Sequence, residues 1–116
     1  MVYAAALLVL GSLPVGPPRE AGLSDKTLHF IAFGILAWLC WRALRELRPG
    51  APVWQPLLGG FTASVLCGGV LELWQALLSY RSCEFLDLVA DALGALLAVV
   101  LTGLVWMFSR ARSAAP

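Results

Sequence analysis

The sequence predicts an all-α fold: a polytopic membrane protein built as a small bundle of four transmembrane helices, in a single domain over residues 1–116. Three observations predict it. Apolar residues make up 60% of the chain, and its mean hydropathy is +0.84. Charged residues make up 13%, which is roughly half the usual fraction of about 25% in soluble domains. The apolar residues also form long continuous runs, separated by short segments rich in Pro, Gly and charge.

The first two helices are expected at about residues 2–14 and 25–45. The first is short, because its length covers only about 20 Å of a ~30 Å hydrocarbon core. A cleaved signal peptide is the competing interpretation, but no Lys or Arg precedes the apolar run and no clear small-x-small cleavage site follows it. We expect a transmembrane helix truncated at its N-terminal end, with a misassigned start codon as the explanation. The segment from Pro14 to Pro18 ends it, and Ser24 or Asp25 begins the second helix.

The third and fourth helices are expected at about residues 54–79 and 85–109. Pro49, Gly50 and Pro52 break the chain before the third helix, and Pro56 suits its first turn. Both segments are long enough to span a bilayer with some tilt.

The loop charges predict the orientation of the bundle. One side carries Arg42, Arg45, Arg48, Arg110 and Arg112, and the other carries Arg19, Lys26 and Arg81. Because cytoplasmic loops hold an excess of Lys and Arg, both termini are expected in the cytoplasm.

Charge and cysteine content exclude several classes of protein. The net charge is +1 and no basic patch with interleaved aromatic residues is present, so no nucleic-acid partner is expected. Three cysteines without a Cys-x-x-Cys spacing fit neither a disulfide framework nor a zinc site. Cys40 and Cys67 are expected to be small apolar side chains. Cys83 is expected outside the cytoplasm, where a disulfide between two copies is the minor alternative.

Eight polar residues fall at one end of the predicted bundle. A charge inside a transmembrane helix is costly, so such residues usually face a protein interior, a cavity or each other. Asp25 and His29 share a helix face, and Glu72 and Asp91 each lie one or two turns inside their helices. We expect one outward-facing ligand-binding cluster, here called the polar cluster, and assign no catalytic role within it. Its members are Asp25, Lys26, His29, Glu72, Gln75, Arg81, Asp87 and Asp91.

Each of these residues also has a purely structural interpretation. Lys26 would anchor a helix end at the headgroups, Asp25 would cap a helix, and Arg81 would pair with Glu84 in a solvated loop. His29 alone would be a hydrogen-bonded interior histidine. Together the acids and bases would form a neutral plug that fixes which helices are neighbours. We weigh a ligand site above a plug alone, because buried polar groups cost more than apolar packing.

Small residues recur at helical spacing in the last two helices. They let neighbouring helices approach closely in lipid, so we expect the third and fourth helices to pack along them as a tight hairpin. The face on the third helix would also allow a homo-oligomer. The packing residues are Gly60, Ser64 and Gly68 on the third helix, and Gly94 and Ala98 on the fourth.

The polar residues resemble the pattern of the VanZ-like family of small bacterial membrane proteins, which is named for a protein linked to teicoplanin resistance. The pattern's Asp-Lys-x-x-His-Phe helix start is matched from Asp25 to Phe30, and its Glu-x-x-Gln by Glu72 and Gln75. Its Arg, and an Asp six residues later, are matched by Arg81 and Asp87. An Asn and a Gly follow in the family, where this chain has Asp91 and Gly94. The match runs from about Ser24 to Ala98; Asp91 and the short first helix are departures from the pattern.

The resemblance implies a multi-pass protein of the bacterial inner membrane, linked to the cell envelope or to glycopeptide response, and it supplies no reaction. No phosphate loop, dinucleotide fingerprint, His-Glu-x-x-His or Gly-x-Ser-x-Gly motif is present, so binding without turnover is favoured over enzymatic activity.

Three functions compete. In the first, the polar cluster binds an envelope lipid headgroup or lipid-linked cell-wall precursor: Arg81 and Lys26 hold the anion, and His29 acts as acid or base. A divalent cation is the sole cofactor considered, with Glu72, Asp87 and Asp91 as its ligands. The second function is an interaction module that modulates another envelope protein. The third is proton- or ion-coupled transport by an oligomer, with Glu72 and His29 as a relay.

Overall fold

The structure is a computed structural model that describes residues 1–13, 25–80 and 84–115. Within these ranges it has four α-helices and no strand, which confirms the predicted all-α class. The helices are α1 (Val2–Ser12), α2 (Asp25–Leu47), α3 (Trp54–Ala76) and α4 (Phe85–Ala114).

Two helix ends differ from the expected ones by three residues or more. The third helix ends at Ala76, before the expected residue 79, where the Leu77 amide bonds to the Trp74 carbonyl in a tighter turn. The fourth continues past residue 109 to Ala114. Arg110 and Arg112 lie in this extension, and cations are favourable near a helix C-terminus.

Three of the helices are long and apolar enough to cross a membrane, namely α2, α3 and α4. Helix α1 has 11 residues, about 16 Å of helix, so it is the short first helix that the sequence predicts. It packs against α2 and α3, and the Tyr3 hydroxyl donates a hydrogen bond of 3.0 Å to the Ala32 carbonyl of α2.

Helix α2 is the centre of the bundle, since it contacts both α3 and α4 more extensively than these two contact each other. The small residues lie at contacts between helices, and three of them pack on α2 and not on the expected partner. The Ser64 hydroxyl of α3 donates to the Phe33 carbonyl of α2 at 2.8 Å. A Cβ on Gly60 would meet the Ala37 carbonyl, and one on Gly94 of α4 would overlap the backbone of α2. Gly60, Ser64 and Gly94 therefore pack on α2, whereas Gly68 packs on Asp91 of α4, in the expected contact between α3 and α4.

The apolar core is small and divided in two. Phe33, Leu36 and Leu71 form one cluster near α1, and Ala37, Ala95 and Val99 form another. Ala98 packs against the second cluster. Most other large apolar side chains are exposed on the outside of the bundle, as expected for helices that face lipid.

Arginines and tryptophans gather at the end of the bundle formed by the C-termini of α2 and α4. The Arg110 guanidinium lies 4.4 Å from the centre of the Trp106 ring, and the Arg45 guanidinium lies 5.4 Å from it. Arg42 lies over Trp38 in the same way. Such cation–π pairs and aromatic belts are typical of a membrane–water interface.

The structure describes two of the three cysteines. Cys40 and Cys67 are free thiols, partly buried beside the first apolar cluster, as expected for small apolar side chains. Cys83 lies outside the described residues.

Candidate functional site

The helix directions alternate, so the N-termini of α2 and α4 and the C-terminus of α3 meet at one end of the bundle. Among the polar-cluster residues there, His29 of α2 and Asp91 of α4 make the closest contact, 2.8 Å between Nδ1 and Oδ1. Asp91 is 0% exposed, and the His29 ring stacks on Phe33 with a centroid separation of 6.0 Å. Hydrogen bond and stacking together fix the orientation of the imidazole.

The second Asp91 oxygen packs on a glycine of α3. An added Cβ on Gly68 would lie 2.5 Å from Asp91 Oδ2, so only glycine leaves room for this carboxylate. Within the described part of the chain, Oδ2 accepts no hydrogen bond. Gly68 therefore belongs to the site as well as to the helix packing.

Lys26 pairs with two acids of α4. Its Nζ lies 3.0 Å from Glu84 Oε2 and 3.5 Å from Asp87 Oδ1. The Lys26 and Glu84 side chains are 44% and 49% exposed, whereas the Asp87 side chain is 6% exposed. Glu84 was not among the expected site residues, although its place three residues before Asp87 on the same stripe gave a signal for it.

Glu72 caps the start of α4. Its carboxylate is buried, with the residue 4% exposed, and Oε2 accepts a 3.0 Å hydrogen bond from the Glu84 backbone amide. Amides at a helix N-terminus lack partners within the helix and carry partial positive charge, so a carboxylate there is favourable. This contact gives the buried Glu72 a structural role beside any binding role.

Gln75 faces α1 and not the acids. Its Nε2 donates to the Gly11 carbonyl at 2.9 Å. Ser12 accepts two more hydrogen bonds at the same end of the bundle, its hydroxyl from the Trp74 indole at 2.7 Å and its carbonyl from the Tyr80 hydroxyl at 2.6 Å. Carbonyls at a helix C-terminus have no partner within the helix, so these side chains hold the end of α1. No sequence pattern indicated that Trp74 and Tyr80 would bond to α1.

Two groups of three side chains have ligand atoms within 4.8 Å of one another, as a metal ion would require. One group is Asp25, His29 and Asp87, and the other is His29, Glu72 and Asp91. The expected set of Glu72, Asp87 and Asp91 is divided between them, because His29 lies between the acids and belongs to both groups. The His29 Nε2 and Asp87 Oδ2 atoms are 4.0 Å apart.

A groove of about 510 Å³ between α1 and α2 reaches this site, and we call it the α1–α2 groove. Its walls are almost entirely apolar, and its polar side chains are Tyr3, Asp25 and His29. The apolar lining comes from Leu7, Leu10, Leu13, Leu28, Ile31, Phe33, Ile35 and Leu71, with Gly11 and Ala32.

Seven of the eight residues of the polar cluster lie at this end of the bundle. Gln75 is turned toward α1, and Arg81 lies outside the described residues.

Three long apolar helices, a short one beside them and a carboxylate–histidine site at one end define a small polytopic helical membrane protein. The model of the VanZ/LLP1 family matches residues 5–107. The chain therefore belongs to the VanZ/LLP1 family, as its polar motifs predict. No curated protein and no solved structure matches the chain significantly.

Proposed function

We propose that this protein binds a lipid of the bacterial cell envelope, with a lipid chain in the α1–α2 groove and the headgroup at the polar cluster. The observation that carries the proposal is an apolar groove of about 510 Å³ that has Asp25 and His29 on its lining. Ligand pockets commonly have volumes of about 300–1,000 Å³ and combine apolar walls with a few well-placed polar groups.

The α1–α2 groove offers a long apolar wall to a lipid chain. Leu28, Ile31 and Ile35 recur at helical spacing along one face of α2, and each is 40–47% exposed. The tails of all bilayer lipids are about as apolar as these side chains, so burial of a tail in the groove does little to distinguish one lipid from another. Selection of one lipid over another must then come from its headgroup.

The headgroup end offers both charge signs and several hydrogen-bonding groups. Asp25 is exposed, Lys26 is partly exposed, and His29 lines the groove. Hydroxyl and phosphate groups of a lipid-linked cell-wall precursor are the chemistry that suits such groups. Membership of the VanZ/LLP1 family supports a link to the envelope, and glycopeptide response is the phenotype we propose to measure.

The proposed location is the bacterial inner membrane, with both termini in the cytoplasm and the polar cluster toward the outside. The orientation rests on the excess of arginine at the opposite end, and the tryptophans paired with these arginines support a membrane–water interface there.

The test is a bulky substitution in the α1–α2 groove. We expect native mass spectrometry of the untagged protein in mild detergent to show a bound lipid, and the Leu28→Trp variant to lose at least half of it. Leu66→Trp is the matched control, because Leu66 is 65% exposed on α3 and is not part of the groove lining. Equal lipid content in both variants would remove the support for the groove as a lipid site.

A second candidate function follows from the contacts between helices. The Lys26–Glu84 ion pair, the His29–Asp91 contact and the Glu72 cap join all three long helices at one end. These links favour a rigid module whose partner is another envelope protein, with the polar cluster as a structural plug. In that case the Leu28→Trp variant keeps its effect on glycopeptide sensitivity, because the groove plays no part in it.

A further inference from the structure

We infer that Asp25, His29 and Asp87 form a binding site for one divalent metal ion of the Zn²⁺ type. The second part of the inference rests on the proposed lipid function: the ion joins this site to the phosphate of the bound headgroup. The ion's role is thus to hold an anionic group at an acidic end of the bundle.

The three side chains have the spacing that such an ion needs. The His29 Nε2 and Asp87 Oδ2 atoms lie 4.0 Å apart, which is too long for a hydrogen bond, and the Asp25 carboxylate lies within 4.8 Å of both residues. Ligands about 2.0–2.2 Å from a tetrahedral ion are roughly 3.4 Å apart. His29 and Asp87 must therefore approach by about 0.6 Å and Asp25 by at most about 1.4 Å, and Asp25 is exposed at the start of α2, where it has room to move.

The second requirement is an oriented imidazole, and Asp91 supplies it. Because His29 Nδ1 bonds to the buried Asp91 carboxylate, Nε2 is the nitrogen left to face Asp87. A carboxylate that fixes the far nitrogen of a metal-binding histidine is the usual arrangement in protein metal sites. Stacking on Phe33 holds the ring in the same plane.

The Asp87 carboxylate is an independent observation that points to a ligand. Its side chain is 6% exposed, and among the described residues its Oδ1 has no hydrogen-bond partner, with the Lys26 ammonium 3.5 Å away. Its Oδ2 is directed at His29 Nε2. The ion pair with Lys26 at 3.5 Å offsets only part of the cost of burying this carboxylate, and a bound cation would offset more of it.

The charge balance gives the ion a function. Five carboxylates lie at this end of the bundle, whereas among the residues that the structure describes there, Lys26 is the one Lys or Arg side chain. An anionic headgroup would be repelled by this excess of negative charge. A divalent ion offsets it at the position where the groove meets the site. The carboxylates are Asp25, Glu72, Glu84, Asp87 and Asp91.

The ligand set selects the type of ion. One imidazole with two carboxylates suits Zn²⁺, whereas Ca²⁺ and Mg²⁺ prefer oxygen ligands alone. Three protein ligands leave a fourth tetrahedral position for a phosphate oxygen. The alternative group of His29, Glu72 and Asp91 is less suited, because Glu72 already caps α4 and all three residues are buried.

Metal binding is tested on the untagged full-length protein in detergent, stripped with EDTA and titrated with Zn²⁺ by calorimetry. We expect one site, with affinity at least tenfold weaker in each of Asp25→Asn, His29→Gln and Asp87→Asn. Glu46→Gln is the control, since Glu46 is an exposed carboxylate at the other end of α2 and should leave the affinity unchanged. Affinities that are equal in all variants, or no stoichiometric binding, would overturn the site.

A second readout needs no variant. Co²⁺ bound in place of Zn²⁺ should give the visible absorption of a tetrahedral nitrogen–oxygen site, and a spectrum of free octahedral Co²⁺ would count against it. Native mass spectra before and after EDTA then test the bridge to the headgroup. Lipid lost with EDTA and regained with Zn²⁺ supports it, and lipid that stays bound without metal refutes it. Failure of Leu28→Trp to reduce bound lipid would refute the groove alone, because the Zn²⁺ titration does not depend on it.

Discussion

Two adjacent glycines of α3 give the sharpest test of the packing around the site. Gly68 lies against Asp91, and an added Cβ would be 2.5 Å from Oδ2 and 3.2 Å from Cγ. Gly69 has no atom within 4 Å of such a Cβ. Substitution of each glycine by alanine therefore makes the same chemical change in the same helix, and the two variants differ in the contact with Asp91.

The expected difference follows from the distances. An ordinary contact between the new Cβ and Asp91 Oδ2 needs about 3.4 Å. In Gly68→Ala the Asp91 carboxylate must therefore move by about 0.9 Å, or α3 and α4 must separate by as much. If the carboxylate moves away from His29 by this amount, their separation of 2.8 Å increases to about 3.7 Å, which is beyond hydrogen-bond range. Loss of a hydrogen bond to a charged group costs about 1.5–3 kcal/mol, and helix separation costs about 1–3 kcal/mol. The gain in helix propensity, about 1 kcal/mol, is common to both variants and cancels in the comparison.

We expect Gly68→Ala to be less stable than Gly69→Ala by about 1.5–3 kcal/mol. The measurement is unfolding of the full-length protein in mixed micelles with increasing SDS, followed by the helical circular dichroism signal. In an Asp91→Ala background the difference should disappear, as a double-mutant cycle requires. Equal stability of the two alanine variants, within about 0.5 kcal/mol, would show that Asp91 does not pack on Gly68.

Two further predictions concern the helix contacts and the orientation. Ser64→Ala removes the hydrogen bond to the Phe33 carbonyl and should lower the free energy of unfolding in the same SDS assay by about 0.6 kcal/mol. The upper limit for such bonds in membranes is about 1.7 kcal/mol. A variant as stable as the wild type would contradict the α2–α3 contact. A membrane-impermeant maleimide should label Cys83 in intact cells, with Cys83→Ser as the control, because its loop is proposed to face outward. Labelling that requires lysed cells would reverse the proposed orientation.

The sequence predicted which residues gather, because this depends only on the alternating direction of the helices. Apolar runs and proline-rich breaks located the four helices, and each described residue of the polar cluster lies within about two turns of a helix end. Any antiparallel bundle with these boundaries brings Lys26, His29, Glu72 and Asp87 to one end, whatever the rotation of each helix about its axis. The family resemblance rested on the same spacing and is confirmed by the family match.

The partners of these residues depend on helix rotation, and the sequence does not encode that rotation clearly. Helix α2 is apolar on most of its surface, so its periodicity does not show which face meets α3 and which meets α4. Gln75 illustrates the consequence. It follows Glu72 by three residues, a rotation that leaves the two side chains about 60° apart, and this is enough to turn Gln75 from the acids to α1.

Asp91 links packing, orientation and chemistry at this site. An asparagine there would fit the same volume, and its amide could either accept a hydrogen bond from His29 Nδ1 or donate one to it. When Nδ1 accepts, a neutral imidazole carries its proton on Nε2 and has no lone pair to offer a metal ion. An ionised aspartate only accepts, so a neutral His29 must donate from Nδ1 and expose the Nε2 lone pair toward Asp25 and Asp87. Asp91, at which this chain departs from the pattern that it resembles, would thus fix the histidine for the proposed cation.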